Sequence, residues 1–492
     1  MSAAPGATLH DLTATEAAAA IQEKRCSPVD LVEALLARID ALEPRVKAWA
    51  LVDREGARAE ARRCAEDAAR GTFRGPLHGV PFAVKDIFYS AGLRTEAGSR
   101  VLAGFVPAYD ATTVARLKSA GAILLGKLHT TEFATFDPAP TRNPWNLDHT
   151  PGGSSSGSGA AVAARMVPIA LGSQTAGSAI RPASYCGLAG LKPTFGRVSV
   201  RGVIPLSWTQ DHVGLFARSV EDLALVLRVI AGRDPSDPST AADPVPDYGA
   251  ALAQRRAPRV GLLKEFFLER CDAEVARVTR EAIGRLTGAG AVVEEAKLPP
   301  SFGVAHAAGW TITRAETAAC HAELYPGKAD LYGPAIRGII ETGSLIPGDL
   351  YLKALRIRRR FRRELASILG RFDVLLTPTT PTPAPAGMAT GDPVFQMPWS
   401  FSGLPTATVP CGLSASGLPL GFQLIAGAFA DRAASRTPGG IPSPSTLPPL
   451  KIAHDRLITA GRLLEACFAA SRSTSTTRST GRCSSRCSTP AW

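Results

Sequence analysis

Three segments of the chain contain residues that could perform nucleophilic chemistry. The first, TPGGSSSGSGAAVA at residues 150–163, places three serines between glycine pairs in front of a run of small residues. The second, GVPFAVKD, has Lys85 just after a short apolar run, and the third contains another glycine–serine pair at Gly177 and Ser178. A serine hydroxyl becomes a nucleophile when a base removes its proton. Taken singly, the lysine fits an exposed strand end and Ser178 fits a turn, so the interpretation depends on all three segments together.

The serine-rich loop could also be a phosphate-binding loop, a hydrolase nucleophile elbow or a linker. A Walker loop requires Lys followed by Ser or Thr directly after its last glycine, and here Ala160 and Ala161 follow. The G-x-S-x-G pattern of an elbow is matched at residues 153–157, but an elbow leaves a hydrophobic strand and the preceding residues are NPWNLDHTP. Strand-like and helix-like segments continue on both sides without a polar spacer, which disfavours a linker.

The segments GVPFAVKD, PGGSSSGSGAAVA and ALGSQTAGSAIRPASYCGLAGLKPT resemble the signature of the amidase signature family. The spacing agrees as well, with 69 residues from Lys85 to Ser154 and 24 from Ser154 to Ser178. The resemblance continues to about Ala430 through SGLPTATVPCG and GLPLGFQLIAG. It implies the α/β fold of that family, a central mixed and twisted β-sheet flanked by helices on both sides. The strand–helix–strand pattern over residues 79–127 independently favours an α/β core.

The resemblance implies a Ser-Ser-Lys catalytic triad. Ser178 is expected to attack the carbonyl, Ser154 to relay the proton, and Lys85 to act as the base. Burial lowers the pKa of a lysine and so supplies the neutral amine that this role requires. The family also implies a cis peptide between Gly153 and Ser154, and we expect Ser155 to hold Lys85 by hydrogen bonding.

The oxyanion of the reaction is expected to meet the backbone N–H groups of Thr175, Ala176, Gly177 and Ser178. The chain departs from the family here, because Gln174 and Ala176 stand where Asp and Gly are usual. Alanine tolerates fewer unusual φ values than glycine, so Ala176 raises a question about the backbone of this loop. Gln is known at the first of these positions in some family members, so we expect activity to survive the change at Gln174.

Arg181 matches an arginine with which some family members hold a substrate carboxylate. Many members with other substrates also have it, so it does not specify the substrate. Neither a metal nor a cofactor is expected to be needed. We expect the pocket walls to come from residues 300–350 and from loops near Phe136, Tyr185 and residues 397–401.

The chain is predicted to contain an N-terminal helical segment at 1–70 and a catalytic domain at 71–432, with a helical insert at about 300–365. Residues 433–492 are rich in Ser, Thr, Pro and Arg and match the family poorly. Such a composition buries little apolar surface, so this atypical C-terminal segment is predicted to be poorly ordered.

Composition excludes several other classes of protein. The chain of 492 residues is 45% hydrophobic and 20% charged, which is typical of a globular protein. No run of apolar residues is long enough to span a membrane and no secretory signal is visible, which predicts a cytoplasmic protein. The net charge of +12 raises the question of nucleic acid, but the densest basic run, RIRRRFRRE, lies in a helical pattern and is predicted to be a solvated helix face. Nucleic-acid binding is therefore not expected.

The resemblance predicts a hydrolase of amide-type C–N bonds that releases a carboxylate and an amine or ammonia. It works through an acyl-enzyme, and the same chemistry allows esters and carbamates (urethanes) as further substrates. On this interpretation the partner is a small-molecule amide, ester or carbamate, and the protein is a monomer or homodimer. The alternative is the glutaminase component, the A subunit, of a tRNA-dependent amidotransferase, which has the same triad but works in a complex.

Overall fold

The short apolar runs of the sequence form the buried strands of one large sheet. The computed structural model describes residues 8–253 and 257–428, and the C-terminal segment predicted at 433–492 lies outside these ranges. The strands are β1 (Trp49–Val52), β2 (Pro81–Lys85), β3 (Ile123–Leu128), β4 (Ile169–Gln174), β5 (Ala189–Lys192), β6 (His212–Ala217), β7 (Arg259–Leu262), β8 (Val292–Glu295), β9 (Val374–Pro378), β10 (Thr406–Leu413) and β11 (Pro419–Ile425).

Fifteen α-helices in the described ranges surround this sheet. They are α1 (Ala14–Gln22), α2 (Pro28–Val46), α3 (Arg54–Ala69), α4 (Thr112–Ser119), α5 (Ser156–Ala163), α6 (Ile180–Tyr185), α7 (Val220–Ile230), α8 (Tyr248–Ala253), α9 (Phe267–Arg270), α10 (Ala273–Gly288), α11 (Phe302–His321), α12 (Tyr325–Lys328), α13 (Pro334–Ser344), α14 (Gly348–Leu369) and α15 (Met397–Ser402). None of these helices is long and apolar enough to cross a lipid bilayer.

The eleven strands lie in the order β1-β3-β2-β4-β6-β5-β10-β11-β9-β7-β8. β2 is parallel to both β3 and β4, whereas β4 and β6 are antiparallel, so the sheet is mixed. Every residue of β2, β3, β4 and β6 is buried, which explains why these mainly apolar strands show no alternation of apolar and polar residues in the sequence. The predicted α/β fold with a mixed sheet flanked by helices is confirmed.

The N-terminal segment contains the predicted helices and also one strand that the sequence analysis did not predict. α1 begins with a capping box formed by Thr13 and Glu16. Between α2 and α3, β1 pairs antiparallel with β3, placing Trp49 opposite Leu128. A four-residue strand gives too short a pattern to identify, and its partner lies far along the chain. The boundary at residue 70 stays a prediction.

Helices α11 to α13 lie within the region predicted as a helical insert, and α14 begins in that region and ends at Leu369. The basic run belongs to α14, where most of its arginines are exposed. Arg358 is the exception, because its guanidinium donates to the side-chain oxygen of Thr209 over 2.8 Å and to the Thr209 carbonyl over 3.1 Å. Arg358 therefore links α14 to the loop that precedes β6.

Candidate active site

Lys85 lies at the carboxyl end of β2, which is flanked by β3 and β4 within the sheet, and its side chain is fully buried. Its Nζ atom is 2.6 Å from Ser154 Oγ and 2.8 Å from Ser173 Oγ. Burial lowers the pKa of this amine well below its usual value, and the negative charge of Asp211 opposes the shift only in part. A lysine in these surroundings can be neutral near neutral pH.

The second partner of Lys85 is Ser173, whereas the sequence analysis assigned that role to Ser155. Ser155 Oγ lies instead against the backbone of Ser173, accepting from its N–H over 3.2 Å and donating to its carbonyl over 3.2 Å. Ser155 therefore does not contact the amine itself. It holds the β4 backbone at Ser173, and the Ser173 side chain contacts the amine. Ser173 stands inside the third segment that resembles the family, but it was given no role there because it is a polar residue within the buried strand β4.

The serine-rich loop approaches β4 closely because a glycine stands opposite it. A Cβ atom on Gly172 would lie 2.6 Å from Ser155 Oγ, nearer than real contacts allow. The peptide between Gly153 and Ser154 is cis, as the resemblance implies. From Ser156 the loop continues into α5, the small-residue helix expected from the sequence.

Ser178 lies in the turn between β4 and α6 and is 9% exposed. Its carbonyl accepts from the N–H of Ser155 over 3.3 Å, which ties the two serine-containing loops together. The chain thus brings Lys85, Ser154 and Ser178 into one region of the fold, at the ends of neighbouring strands.

Gln174 explains how the chain accommodates its departure from the family pattern. The amide oxygen of Gln174 accepts from Ala179 N over 3.0 Å and from Ile180 N over 2.9 Å, at the start of α6. Its amide nitrogen donates to Ser400 Oγ over 3.0 Å, and Ser400 in turn donates to the Ala176 carbonyl over 2.8 Å. An ionised Asp could only accept hydrogen bonds, so the donation to Ser400 depends on the glutamine amide.

Ala176 fits the turn without backbone strain, because it is not among the described non-glycine residues with positive φ. Gly177, by contrast, is required for space. A Cβ atom there would lie 2.7 Å from Arg181 Nη1 and 2.7 Å from Gln396 Oε1. The glycine of this turn therefore allows two polar side chains to lie directly behind the loop.

Arg181 is buried and is held largely by backbone carbonyls. Its Nε donates to the Thr390 carbonyl over 2.6 Å and its Nη2 to the Gly153 carbonyl over 2.7 Å. Within the described ranges Nη1 has no hydrogen-bond partner. Burial lowers the pKa of this guanidinium to about 10, so it stays charged at neutral pH. The Nη1 group of this buried cation could therefore donate a hydrogen bond to a substrate oxygen.

A narrow pocket opens beside Ser178. Its apolar wall comes from Phe136 and Leu206 on loops and from Trp310 and Ile339 on α11 and α13. The remaining lining residues are Ala134, Thr135, Thr175, Ala176, Arg181, Thr313, Thr317 and Pro393. The predicted contributions of Phe136 and of residues 300–350 are present, whereas Tyr185 and residues 397–401 are buried and do not line this pocket.

No group of three or more His, Cys, Asp or Glu side chains in residues 8–253 and 257–428 is placed to hold a metal ion.

Comparisons with known proteins identify the family of this chain. The chain matches the Amidase family model over residues 30–434. It is 42% identical to the A subunit of the glutamyl-tRNA(Gln) amidotransferase of Roseiflexus sp. (strain RS-1), across 86% of this chain and 94% of that protein. The peptide amidase from Stenotrophomonas maltophilia is similar with a TM-score of 0.80 at 31% identity, covering 93% of this chain and 96% of that one.

A chain from an unexpected vestigial protein complex that reveals the evolutionary origins of an s-triazine catabolic enzyme is similar with a TM-score of 0.83. Its identity is 32%, covering 92% of this chain and 98% of that one. These matches extend over nearly all of the described residues. The chain therefore belongs to the amidase family, the amidase signature enzymes that its three sequence segments resemble.

Proposed function

We propose that this chain cleaves a carboxamide through an acyl-enzyme, with Ser178 as nucleophile, Ser154 as proton relay and Lys85 as base. The observation that carries the proposal is the 2.6 Å contact between the fully buried Lys85 amine and Ser154, beside a pocket that Ser178 lines. A buried, neutral amine in contact with a serine hydroxyl is one of the ways in which proteins activate a nucleophile.

In this mechanism Ser178 Oγ attacks the carbonyl carbon and its proton passes through Ser154 to the Lys85 amine. The oxygen that becomes negative is stabilised by backbone N–H groups of residues 175–178. Removing one donor from such a site costs about 3–4 kcal/mol of transition-state stabilisation. The C–N bond then breaks as the proton returns through Ser154 to the departing nitrogen. Water, activated by the same pair, releases the carboxylate and frees Ser178.

The first candidate for the biological role is a glutaminase that works as one component of an amidotransferase. The similarity to the Roseiflexus protein supports it, since that relative is a glutamyl-tRNA(Gln) amidotransferase component and the match covers most of both chains. The comparisons thus favour this role over the stand-alone amidase that the sequence analysis placed first. On this proposal the partners are the other protein components of the complex.

The second candidate is a stand-alone hydrolase of a small amide, ester or carbamate, and the pocket favours it. Among the described residues that line the pocket, Arg181 is the one cation and none is a carboxylate. Glutamine carries an ammonium group that needs a negatively charged or other strongly accepting partner when it is removed from water. Phe136 and Trp310, with ring centroids 5.9 Å apart, offer an apolar surface instead.

One experiment separates the two candidates and tests the shared mechanism. The purified chain is assayed alone against glutamine, an aryl amide, an aryl ester and an aryl carbamate, and then with the other protein components of an amidotransferase. Ser178→Ala should abolish every activity, whereas Ser344→Ala, at an exposed serine of α13, should not change it.

Turnover of aryl substrates by the chain alone favours the stand-alone role. Release of ammonia from glutamine only after the partner proteins are added favours the amidotransferase. Activity that persists in Ser178→Ala contradicts the proposed nucleophile.

A further inference from the structure

The loop of residues 206–211, which precedes β6, is joined to the predicted oxyanion turn by a single carboxylate. Asp211 Oδ1 accepts from Thr175 Oγ1 over 2.5 Å. Asp211 Oδ2 accepts from the backbone N–H groups of Leu206 over 2.7 Å and Ser207 over 2.9 Å. One side chain therefore closes its own loop and holds Thr175 at the same time. We call residues 206–211 the connecting loop.

The other side of the connecting loop is fastened to the helices that form the pocket wall. Glu316 of α11 accepts from Ser207 Oγ over 2.5 Å, and from Thr209 through its N–H over 3.0 Å and its hydroxyl over 2.8 Å. Tyr351 of α14 donates to the same carboxylate over 2.8 Å. Glu316 is 2% exposed, and its hydrogen bond with Ser207 is buried.

The connecting loop and the pocket also share residues. Leu206 lines the pocket, and its carbonyl accepts from Thr317 Oγ1 of α11 over 3.1 Å. Gln210 Nε2 donates to Thr313 Oγ1 over 2.7 Å, and Thr313 lines the pocket as well. The helix that forms the pocket wall is therefore attached to the loop that holds Thr175.

We propose that Asp211 is a positioning residue for the reaction, which holds the turn at residues 175–178 so that its N–H groups face the developing oxyanion. This inference rests on the proposed function. Donors stabilise a transition state most when they are already oriented before charge develops, because no reorganisation is then required during the reaction. Thr175 has one side-chain hydroxyl, and that hydroxyl is bound to Asp211.

The test measures how fast Ser178 reacts with a fluorophosphonate, followed by mass spectrometry of the intact full-length chain. This reagent also develops negative charge on an oxygen, and its use requires no knowledge of the substrate. Thr175→Val removes the hydroxyl and keeps the side-chain shape, and should slow labelling by about tenfold or more. Thr175→Ser keeps the hydroxyl and should stay within about threefold of the original rate. Asp211→Asn should slow labelling as Thr175→Val does, and the double variant should be no slower than the worse single variant.

Thr112→Val is the matched control, because Thr112 Oγ1 donates to Asp234 Oδ2 over 2.6 Å in a threonine–aspartate pair away from the site. Its labelling rate should not change. The quantity compared is the rate constant of labelling for the fraction of protein that reacts. Unfolded protein lowers the final extent of labelling and leaves this rate constant unchanged. Folded Thr175→Val or Asp211→Asn that labels at the original rate overturns the inference. If Ser178 of the unchanged chain is not labelled at all, the proposed function fails and the inference fails with it.

Discussion

Ser173→Ala is the most informative single change, because Ser173 contacts the proposed base and the sequence analysis gave it no role. Its hydroxyl lies 2.8 Å from Lys85 Nζ, and the strand around it is fully buried. Leaving one N–H of a buried amine without a hydrogen-bond partner costs about 1–3 kcal/mol. If about 1.4 kcal/mol of this loss appears in the transition state, the rate falls about tenfold.

The change also has a signature in the pH dependence. A serine oxygen that accepts from the amine favours the charged lysine, so its removal lowers the pKa of Lys85 further. The acidic limb of the activity profile should therefore move to lower pH while the maximum rate falls. The measurement is the pH dependence of kcat/KM for whichever substrate proves active.

Ser158→Ala is the matched control for this prediction. Ser158 is a fully buried serine of α5 whose hydroxyl donates to the Leu171 carbonyl over 3.1 Å rather than to the Lys85 amine. Ser158→Ala should lower the stability of the fold without shifting the acidic limb of the pH profile of kcat/KM. If Ser173→Ala changes neither the maximum kcat/KM nor the pH of its acidic limb, the assignment of Ser173 as an anchor of the base is refuted.

Two further predictions concern the same region. Because burial lowers the pKa of Lys85, kcat/KM of the unchanged chain should be highest above that pKa and fall on its acidic side, where the amine is protonated. A kcat/KM that stays constant down to the most acidic pH at which the chain remains folded would contradict lysine as the base. Gly172→Ala should cost about 1–3 kcal/mol in thermal or denaturant unfolding, because the new methyl group meets Ser155 Oγ at 2.6 Å; Gly338→Ala on α13, where a Cβ meets nothing within 4 Å, should instead be neutral or stabilising, and equal effects would contradict the packing argument.

Parts of the fold and of the site could be predicted because their signals are local. The strands β2 and β3 correspond to unbroken apolar runs, and α1 begins at a capping box that four consecutive residues encode. Strand β1 could not be predicted in the same way. It has four residues, and its place is decided by pairing with β3 about 75 residues later, which no local pattern records.

The candidates for chemistry could be named from the order of the amino acids alone. Lys85, Ser154 and Ser178 stand in short segments whose composition and spacing are sufficient to resemble a family. The two serine-containing segments can be recognised from the sequence alone, because glycines and small residues next to a serine already restrict the conformations of the loop.

The groups that hold these candidates in place became visible in the folded chain. Lys85 meets Ser173 because β2 and β4 are parallel neighbours, and Thr175 meets Asp211 because the connecting loop returns to the end of β4. These contacts join residues 88 and 36 positions apart in the chain. They depend on strand order and register, which are set by the whole hydrophobic core rather than by any one segment.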